Sequence, residues 1–449
     1  MKPPYFGTDG IRDAVDGPLL AENFVRRLGY AYGNHIRESS PNKPLHVVIG
    51  RDTRASGSAL STWLTEGLDA AGVKVFDGGI VPTPAVALAV RQLDLDGGLV
   101  VTASHNPATD NGIKLFGPGG LKLTTAEEAI IEKRLEETPD LPRPARPPAS
   151  FGLDARRHYK QFVTGILPPN ALVGWTICVD AANGATAYTS PEILEALGAR
   201  VIRLGALPDG HNINANCGSE YPAILAETVR THGANIGIAH DGDGDRLIVI
   251  DETGATVDGD CLIGLLAQHL HVEGRLPGDT VVTTVMSNAG LAAFLEKQNL
   301  RLERTPVGDR NVLHRLLEGG FQLGGENSGH LIVTDRLPAG DGCIGALELL
   351  ACLLRRGEPL SQARKAITLF PQKLINLRVR EKVPLEGHAG LQNELVALET
   401  NLGKSGRILL RYSGTEPKIR LLVEASTPEL VDQTLDELQK TVARHLPLL

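Results

Sequence analysis

The sequence predicts an α/β protein in which three related α/β domains, with parallel or mixed sheets, precede a smaller C-terminal α+β domain. Two patterns lead to this prediction. Short apolar runs alternate with helical patterns through most of the chain, and after about residue 369 three strand-like runs and a closing helix follow instead. A length of 449 residues also suits three or four domains of ordinary size.

The first α/β domain is predicted from a strand, a helix and two further strands. Residues 46–50 (HVVIG), 73–79 (VKVFDGG) and 97–104 (GGLVVTAS) have the apolar character and the polar or glycine boundaries of strands. Between the first two, residues 56–72 have helical spacing and end at a glycine. This order indicates a largely parallel sheet covered by helices.

The same order of elements occurs twice more before the pattern changes. Strand, helix and strand follow one another over 176–205 and again over 279–308. The last part contains three runs typical of an antiparallel sheet, at 375–383, 406–414 and 418–426. A final helix is expected to start at Thr427 as N-cap, with proline at its first position.

The domain boundaries are predicted from breaks in these patterns. Residues 138–150 (TPDLPRPARPPAS) are rich in proline and are typical of a linker. A second boundary is expected near residues 252–259 (ETGATVDG). The sequence therefore predicts four domains, with the following limits: 1–149, 150–253, 254–368 and 369–449.

Composition narrows the class of protein. A formal net charge of −8 argues against a nucleic-acid binder, which normally carries a basic stripe. Five cysteines without a C-x-x-C pair suit buried thiols in a reducing compartment. The N-terminal residues contain no apolar segment typical of a secretory signal, and the apolar run at 343–354 is too short to span a bilayer. We therefore expect a cytoplasmic protein that binds neither membranes nor nucleic acid.

The first polar loop lies at the end of the third predicted strand. Its residues, Thr102-Ala103-Ser104-His105-Asn106-Pro107, place a serine at the edge of the sheet. A strand end capped by ordinary turn residues would have the same composition. The sequence of the other loops decides between this reading and a functional one.

The second loop, residues 240–252 (HDGDGDRLIVIDE), alternates three aspartates with glycines. On an extended or looped backbone Asp241, Asp243 and Asp245 point the same way, and three close carboxylates favour a hard cation such as Mg²⁺ or Ca²⁺. A calcium EF-hand is an alternative, but position six of such a loop would be Arg246 instead of glycine, and the flanks have strand character. A solvated turn without metal is the other alternative. Arg246 would be a good phosphate partner beside a metal.

Two further loops carry groups suited to a sugar and to a phosphate. Residues 324–332 (GGENSGHLI) present Glu326, Ser328 and His330 at alternate positions, which suits hydrogen bonds to sugar hydroxyls, although a plain turn could have this pattern. Residues 411–420 (RYSGTEPKIR) combine hydroxyls, backbone N–H groups and two guanidinium groups. A hairpin with two surface arginines is the alternative. The candidate phosphate ligands in this loop are Arg411, Ser413, Gly414, Thr415 and Arg420.

Phosphate, sugar and metal groups together indicate a phosphorylated sugar as ligand. Beside a metal and an arginine, the Ser104 hydroxyl can act as a nucleophile or carry a phosphate. Lys114 is a candidate general base if its pKa is lowered in the site. On an extended backbone His105 would not face the same point as Ser104, so a Ser-His-Asp hydrolase is not expected.

The four loops resemble those of the α-D-phosphohexomutases, in that family's order and over essentially the whole chain. The matching stretches are TASHNP with NGIK, DGDGDR, GENSGH and RYSGTEPKIR. Four more stretches resemble the phosphoglucosamine mutase branch: FGTDGIR (6–12), GRDTRASG (50–57), TVMSNAGL (284–291) and RTPVGDRNV (304–312). The resemblance implies four domains around a central cleft, each contributing one loop.

The resemblance also implies a mechanism and its groups. Ser104 would carry a phosphate in the resting enzyme, and one Mg²⁺ would be held by the three aspartates and a phosphoserine oxygen. Glucosamine 6-phosphate would become glucosamine 1-phosphate through a sugar 1,6-bisphosphate, which also serves as activator. Arg12 and His105 join Ser104 and Lys114 as catalytic candidates. A small hexosamine phosphate is the expected partner, and a homodimer is compatible with the resemblance.

Three departures from the family pattern and two rival functions remain at this point. Asp13 stands where the family has glycine, residues 338–343 read PAGDGC, and residues 216–221 read NCGSEY. None of them removes a proposed ligand or the nucleophile. A phosphoglucomutase or phosphomannomutase of the same family is the first rival. A sugar-phosphate-binding or metal-binding protein without catalysis is the second.

Overall fold

The computed structural model describes residues 5–7, 9–40, 43–146, 148–413 and 416–449. The chain forms two compact units, which are described separately. The larger comprises the described residues up to Met286 together with Leu302–Arg364, and the smaller comprises Ser287–Arg301 and Lys365–Leu449. None of the helices in the described part of the chain is long and apolar enough to cross a membrane.

The first sheet of the larger unit has six strands in the order β1-β5-β4-β2-β3-β6. Strand β2 is parallel to β3 and β4, β3 is parallel to β6, and β5 is antiparallel to β1 and β4. The strands are β1 (Ile11–Ala14), β2 (Leu45–Arg51), β3 (Val73–Ile80), β4 (Gly97–Val101), β5 (Asp110–Phe116) and β6 (Ser150–Gly152). The helices are α1 (Glu22–Ser39), α2 (Gly57–Ala70), α3 (Thr83–Gln92) and α4 (Thr125–Glu137).

The second sheet has five strands in the order β11-β10-β9-β7-β8. Strand β7 is parallel to β8 and β9, whereas β10 is antiparallel to both its neighbours. Its strands are β7 (Thr176–Asp180), β8 (Arg200–Leu204), β9 (Ile236–Ala239), β10 (Ile248–Asp251) and β11 (Thr256–Val257). The helices in this part of the chain are α5 (Ala155–Thr164), α6 (Ser190–Ala196) and α7 (Ala223–His232).

The third sheet also has five strands, in the order β13-β12-β14-β15-β16. Its strands are β12 (Thr280–Thr284), β13 (Arg301–Thr305), β14 (Leu323–Gly325), β15 (Leu331–Val333) and β16 (Leu337–Gly340). The helices of the larger unit in this part are α8 (Gly259–Val272), α10 (Asp309–Gly319), α11 (Gly342–Arg356) and α12 (Leu360–Ala363). The prediction of three α/β domains with parallel or mixed sheets is confirmed.

The smaller unit contains the predicted antiparallel sheet, in the order β17-β19-β18. Its elements are α9 (Ala289–Lys297), β17 (Gln372–Arg378), α13 (Ala389–Leu402), β18 (Gly406–Tyr412), β19 (Lys418–Ala425) and α14 (Pro428–His445). Thr427 caps α14 as predicted, since its side chain accepts a hydrogen bond from the Leu430 N–H. Short 3₁₀ turns are found at Pro18–Leu20, Pro118–Gly120, Ala185–Tyr188, Pro277–Asp279, Arg364–Ala366, Leu385–Gly387 and Gly403–Ser405.

Element boundaries differ from the predicted ones in a few places. Strand β4 ends at Val101 instead of continuing to residue 104, because Ser104 has a positive φ of 52°. The first sheet takes its last strand from 150–152 and the second from 256–257, so both sheets continue a few residues beyond the predicted domain limits. The four domain limits themselves stay a prediction.

Asp13, one of the departures from the family pattern, and Asp341, in the stretch that contains another, have local structural roles. Asp13 Oδ1 accepts a hydrogen bond from the Ala14 N–H at 2.9 Å and its Oδ2 accepts one from the Leu19 N–H at 3.0 Å, which closes the turn between them. In the PAGDGC stretch, Asp341 caps α11 by accepting the Cys343 and Ile344 N–H groups. Both aspartates therefore satisfy backbone donors.

Candidate active site

The Ser104 loop follows β4 and brings its hydroxyl to the aspartate-rich loop. Ser104 is 2% exposed, and its Oγ donates a hydrogen bond to Asp241 Oδ2 at 2.5 Å. The backbone of Gly242 lies so close that a Cβ there would be 2.6 Å from the Ser104 carbonyl oxygen. The two loops predicted to hold the nucleophile and the metal are thus in direct contact.

The three aspartates form a compact buried cluster between β9 and β10. One carboxylate oxygen from each of Asp241, Asp243 and Asp245 lies within 4.8 Å of the others, and the residues are 0%, 0% and 4% exposed. Because strands flank the loop, the EF-hand alternative is wrong. Burial also rules out the solvated turn. These three carboxylates could hold a divalent cation.

Electrostatics in the cluster point to the same use. Burial, together with the like charges of Asp245 and Asp243, raises the pKa of Asp241 well above 3.8. Asp243 Oδ1 and Asp245 Oδ1 are buried and have no hydrogen-bond donor within the described residues. Carboxylate oxygens without donors are costly to bury, so the cluster suits a hard cation that would bind them.

Lys114 projects from β5 into the carboxylates and is 2% exposed. Its Nζ lies 2.8 Å from Asp243 Oδ2, 2.9 Å from Asp245 Oδ2 and 2.8 Å from Asp9 Oδ2. Burial acts to lower the pKa of Lys114, but these three carboxylates outweigh it and the pKa lies well above 10.5. The lowered pKa that a general base would need is therefore not found in this arrangement, where Lys114 is a charged counter-ion.

Lys114 belongs to a ring of acidic and basic side chains in the larger unit, called the ring of charges below, in which His330 is charged only when it is protonated. Asp9 Oδ1 is 2.5 Å from Lys122 Nζ, and Lys122 also pairs with Asp309. Asp309 Oδ2 is 3.3 Å from Nε2 of His330, and Nδ1 of the same histidine is 3.7 Å from Asp245 Oδ1. The ring thereby connects the N-terminal segment, the start of α10, the predicted sugar loop and the aspartate cluster.

His105 lies closer to the nucleophile than the sequence predicts. Its Nδ1 is 3.3 Å from Ser104 Oγ, so the expectation that the two side chains face different points is wrong. The reason is the positive φ of Ser104, which turns the chain out of the extended conformation. Within the described residues no carboxylate oxygen pairs with His105, so a Ser-His-Asp triad is not formed. Burial lowers the pKa of His105, as does the nearby Arg246.

Arg12 and Arg246, the arginines predicted at the first and second loops, each pair with a carboxylate. Arg12 Nη2 is 3.0 Å from Asp9 Oδ2, next to the ring of charges. Arg246 Nη1 is 3.2 Å from Glu220 Oε1, and the Arg246 backbone carbonyl accepts a hydrogen bond from His240 Nδ1 at 3.1 Å. Burial lowers the pKa of His240 to about 4, so this histidine is neutral at pH 7.

The predicted sugar loop lies between β14 and β15, and its three candidates have different environments. Glu326 is partly exposed and its Oε1 accepts a hydrogen bond from the Gly308 N–H at 3.0 Å. Ser328 is exposed, whereas His330 is 6% exposed and faces Asp245 and Asp309. The structure thus places His330 in the ring of charges and leaves Glu326 and Ser328 accessible to a ligand.

The predicted phosphate loop belongs to the smaller unit. Arg411 and Arg420 are directly opposite each other on β18 and β19, and Arg420 Nε is buried without a partner in the described structure. Burial, and next the charge of Arg420, lower the pKa of Arg411. Lys382 Nζ donates to the Ser413 carbonyl at 2.7 Å. Like charges facing each other across a sheet are unfavourable without an anion. Gly414 and Thr415 lie outside the described residues.

Several residues at these loops were not predicted as site residues. Asp9, Thr83 and Asp309 pair with predicted residues, and Lys122 pairs with Asp9 and Asp309. Arg54 and Asn214 bind the Ser104 loop. Three of them fall in stretches that resemble the phosphoglucosamine mutase branch: Asp9, Arg54 and Asp309. Thr83, Lys122 and Asn214 carry no signal that the sequence alone would single out.

Four family models match successive parts of the chain. They describe domains I, II and III and the C-terminal domain of phosphoglucomutase/phosphomannomutase, and they match residues 3–141, 159–254, 258–370 and 374–441. The chain belongs to the phosphoglucomutase/phosphomannomutase family. It is therefore an enzyme of the isomerase class that transfers a phosphoryl group.

Individual relatives are similar over nearly their whole length. The chain is 43% identical to a phosphoglucosamine mutase of Nitratidesulfovibrio vulgaris strain DP4, covering 98% of this chain and 99% of the relative. It is 45% identical to a phosphoglucosamine mutase of Sphingopyxis alaskensis, covering 96% and 97%. A crystal structure of a phosphoglucomutase/phosphomannomutase family protein from Burkholderia thailandensis has a TM-score of 0.82 at 25% identity, covering 99% and 98%.

Proposed function

We propose that this chain interconverts glucosamine 6-phosphate and glucosamine 1-phosphate through a phosphoserine at position 104 and a sugar 1,6-bisphosphate. The observation that carries the proposal is the Ser104 hydroxyl, 2.5 Å from Asp241 in a buried cluster of three carboxylates. The choice of an amino sugar is supported by the relatives at 43% and 45% identity that are named phosphoglucosamine mutase.

The donor set suits one Mg²⁺ ion. Asp241, Asp243 and Asp245 offer hard oxygen ligands, and two of their buried oxygens have no hydrogen-bond donor among the described residues. A phosphoserine oxygen at Ser104 would complete the ligand set. When bound, the ion neutralises the negative charge of the transferring phosphoryl group.

The reaction consists of two phosphoryl transfers in opposite directions. In the first, the C1 hydroxyl oxygen of glucosamine 6-phosphate bonds to phosphorus and loses its proton, while the bond between phosphorus and Ser104 Oγ breaks and Oγ takes up a proton to become a hydroxyl. The bisphosphate then reorients in the site. In the second, Ser104 Oγ bonds to the phosphorus carried on O6 and loses its proton, while the bond between phosphorus and O6 breaks and O6 takes up a proton. The cycle is therefore neutral in protons and in phosphate. Lys114 and Arg12 supply positive charge, and His105 lies against the nucleophile.

Sugar and phosphate are bound by the remaining candidates. Glu326 and Ser328 are accessible and have the groups that read hydroxyls common to both orientations of the sugar. Arg246 contributes a guanidinium beside the metal ligands. We infer that the loop of the smaller unit binds a phosphate group, with Arg411, Ser413, Gly414, Thr415 and Arg420 as its ligands. His330 acts on the site through its two ring nitrogens, which lie near the carboxylates of Asp245 and Asp309.

Further expectations go with this function. A sugar 1,6-bisphosphate is the activator that supplies a phosphate to Ser104. A cytoplasmic location suits a hexosamine phosphate substrate, and a homodimer is the assembly to be examined by light scattering.

Phosphorus NMR of the purified protein tests the proposal. Parallel samples contain Mg²⁺, a trace of sugar 1,6-bisphosphate and the 6-phosphate of glucosamine, glucose or mannose. We expect the 1-phosphate signal to grow fastest with glucosamine. Ser104→Ala should show no turnover, whereas the matched control Ser58→Ala, on the exposed side of α2, should turn over at the wild-type rate.

Each other outcome has a defined meaning. Faster turnover of glucose or mannose phosphate would retain the mechanism and change the substrate. No 1-phosphate in any sample, with Ser104 verified as phosphorylated, would favour binding without catalysis. Turnover by Ser104→Ala at the wild-type rate would contradict the phosphoserine mechanism.

A further inference from the structure

Both backbone polar groups of Ser104 are held by side chains instead of by a neighbouring strand. Its N–H donates to Thr102 Oγ1 at 2.9 Å. Its carbonyl accepts hydrogen bonds from Arg54 Nη2 at 3.1 Å and from Asn214 Nδ2 at 2.9 Å. With a φ of 52°, Ser104 occupies a conformation that non-glycine residues adopt only when their surroundings enforce it.

Arg54 binds the loop at more than this one point. Its Nη2 also donates to the Asn106 carbonyl at 2.8 Å, and its Nη1 donates to the carbonyls of Asp110, at 2.8 Å, and Pro107. One guanidinium group therefore satisfies four carbonyls of the segment 104–110. The Arg54 side chain is 0% exposed. Its planar fork can reach these acceptors together, which a lysine ammonium cannot do.

Asp52 closes the network around the nucleophile. Its Oδ2 accepts hydrogen bonds from Arg54 Nε at 2.9 Å and from Thr102 Oγ1 at 2.6 Å. The same Thr102 hydroxyl oxygen accepts the Ser104 N–H. Asp52 thus connects the group that holds the Ser104 carbonyl to the group that holds its N–H, and it balances the buried positive charge.

We infer that Arg54 is the positioning residue of the nucleophile, with Asp52 and Asn214 as its supports. By fixing the backbone of Ser104 on both sides, the network directs Oγ towards Asp241 and the incoming sugar hydroxyl. Arg54 touches neither of these groups and acts only through the loop. This inference rests on the proposed function, because it concerns the geometry of phosphoryl transfer at Ser104.

The chain offers a matched control for Arg54. Arg37 also donates to the carbonyls of a turn, Ala71 and Gly72, but it does so at the end of α2, remote from the loop. Replacing Arg37 by lysine or methionine therefore removes a similar fork without changing the Ser104 loop.

The experiment compares Arg54→Lys and Arg54→Met with the same two changes at Arg37. For the Arg54 variants we expect kcat to fall by about 100-fold while KM changes by less than about threefold, because a displaced nucleophile affects transfer more than binding. Mass spectrometry after incubation with sugar bisphosphate should find Ser104 less phosphorylated. Hydrogen exchange should be faster at the amides of 102–111 in these variants alone.

Several outcomes would overturn the inference. One is a folded Arg54→Lys whose kcat and Ser104 phosphorylation stay within about threefold of wild type. Another is faster exchange spread evenly over the chain. If the Arg54 variants do not fold, Asn214→Ala replaces them, with an expected fall in kcat of about tenfold and unchanged KM; no fall would contradict the inference. Absence of turnover in the wild-type protein would instead refute the proposed function, while the hydrogen-exchange comparison would still test Arg54.

Discussion

A single uncharged residue, Thr83, orients one of the candidate metal ligands, Asp243. Thr83 begins α3, and its hydroxyl donates to Asp243 Oδ2 at 2.5 Å while its N–H donates to the Asp243 carbonyl at 2.9 Å. Thr83 is 2% exposed. From the start of α3, it therefore fixes both the side chain and the backbone of a candidate ligand on the loop between β9 and β10.

Replacing Thr83 by valine tests this orientation. Valine keeps the shape and the backbone donor and removes only the hydroxyl, so we expect Mn²⁺ affinity to fall by about 10-fold to 100-fold. Isothermal titration with Mn²⁺ measures the effect. Thr65→Val is the control, because the Thr65 hydroxyl donates to Ser61 within α2. Equal Mn²⁺ affinities of Thr83→Val and wild type would show that Thr83 does not orient Asp243.

Spacing predicts site residues best where the chemistry is local in sequence. The alternation of Asp241, Asp243 and Asp245 fixed their convergence in advance, because it depends only on backbone geometry. The charged state of Lys114 could not be predicted, since Asp9 and the aspartate cluster approach it from distant parts of the chain. The position of His105 depends on a backbone conformation that no residue type at 104 announces.

Helix α11 provides a prediction at the scale of one element. Its N-cap, Asp341, accepts the Cys343 and Ile344 N–H groups and the Tyr159 hydroxyl. Burial raises the pKa of Asp341 to about 6, although these hydrogen bonds act to lower it. The capped end of α11 thus carries a carboxyl group that is protonated more readily in the folded chain than in the unfolded one.

This difference gives the pH dependence its sign. Between about pH 4 and pH 6 the folded protein keeps a proton at Asp341 that the unfolded chain releases. The contribution of Asp341 to the free energy of unfolding is therefore largest below about pH 4 and is lost as the pH rises through about 6. Asparagine can cap the helix without titrating. The free energy of unfolding of Asp341→Asn minus that of wild type should therefore increase by about 1 kcal/mol from pH 5 to pH 8.

Thermal midpoints of both proteins at the two pH values measure this gain. The midpoint of the variant minus that of wild type should be larger at pH 8 than at pH 5. A difference independent of pH would contradict the raised pKa.

Strands and helices with a recognisable apolar or capping pattern could be predicted, whereas a strand as short as β14 could not. The buried strands β2, β4, β7 and β12 are five or seven residues long and rich in Val, Ile, Leu or Thr, and α14 shows its cap in the sequence. Strand β14 has only three residues, which is too few for a periodic pattern. It pairs in parallel with β12, which is distant in sequence.

Within the larger unit, a buried ion pair connects parts of the chain that are far apart. Arg310, at the start of α10, donates to both carboxylate oxygens of Glu128 on α4, at 2.7 and 2.5 Å. The Glu128 side chain is 4% exposed. The pair adjoins the contact between Lys122 and Asp309, so the first turn of α10 is attached to the first α/β domain at two points.

Charge reversal tests this attachment at the scale of the whole molecule. Glu128→Arg and Arg310→Glu should each lower the thermal midpoint by at least about 3 °C, because each leaves buried like charges. The double variant should recover at least half of the summed loss. Glu137→Arg, at an exposed pair with Lys133 on the same helix, should change the midpoint by less than about 1 °C. A double variant as unstable as the sum of its parts would show that the pair does not couple.

The three α/β domains and the final antiparallel sheet could be predicted from the sequence, but the contacts between these α/β domains could not. Alternating elements determine which strands pair, because short connections and right-handed crossovers leave few topologies. Contacts such as Arg310 with Glu128 join residues 182 positions apart and have no pattern of their own. The resemblance to a known family supplied the order of the loops where the physical reading alone left a plain turn or a hairpin as alternatives.

The left-handed backbone at position 104 also bears on which amino acid can serve as the phosphate acceptor. Threonine has a hydroxyl that accepts phosphate as well as that of serine. Its branched β-carbon, however, makes a φ of 52° a steric outlier, whereas serine tolerates it when held on both sides. The shape of this one turn therefore disfavours a chemically equivalent alcohol and favours serine as the proposed covalent carrier.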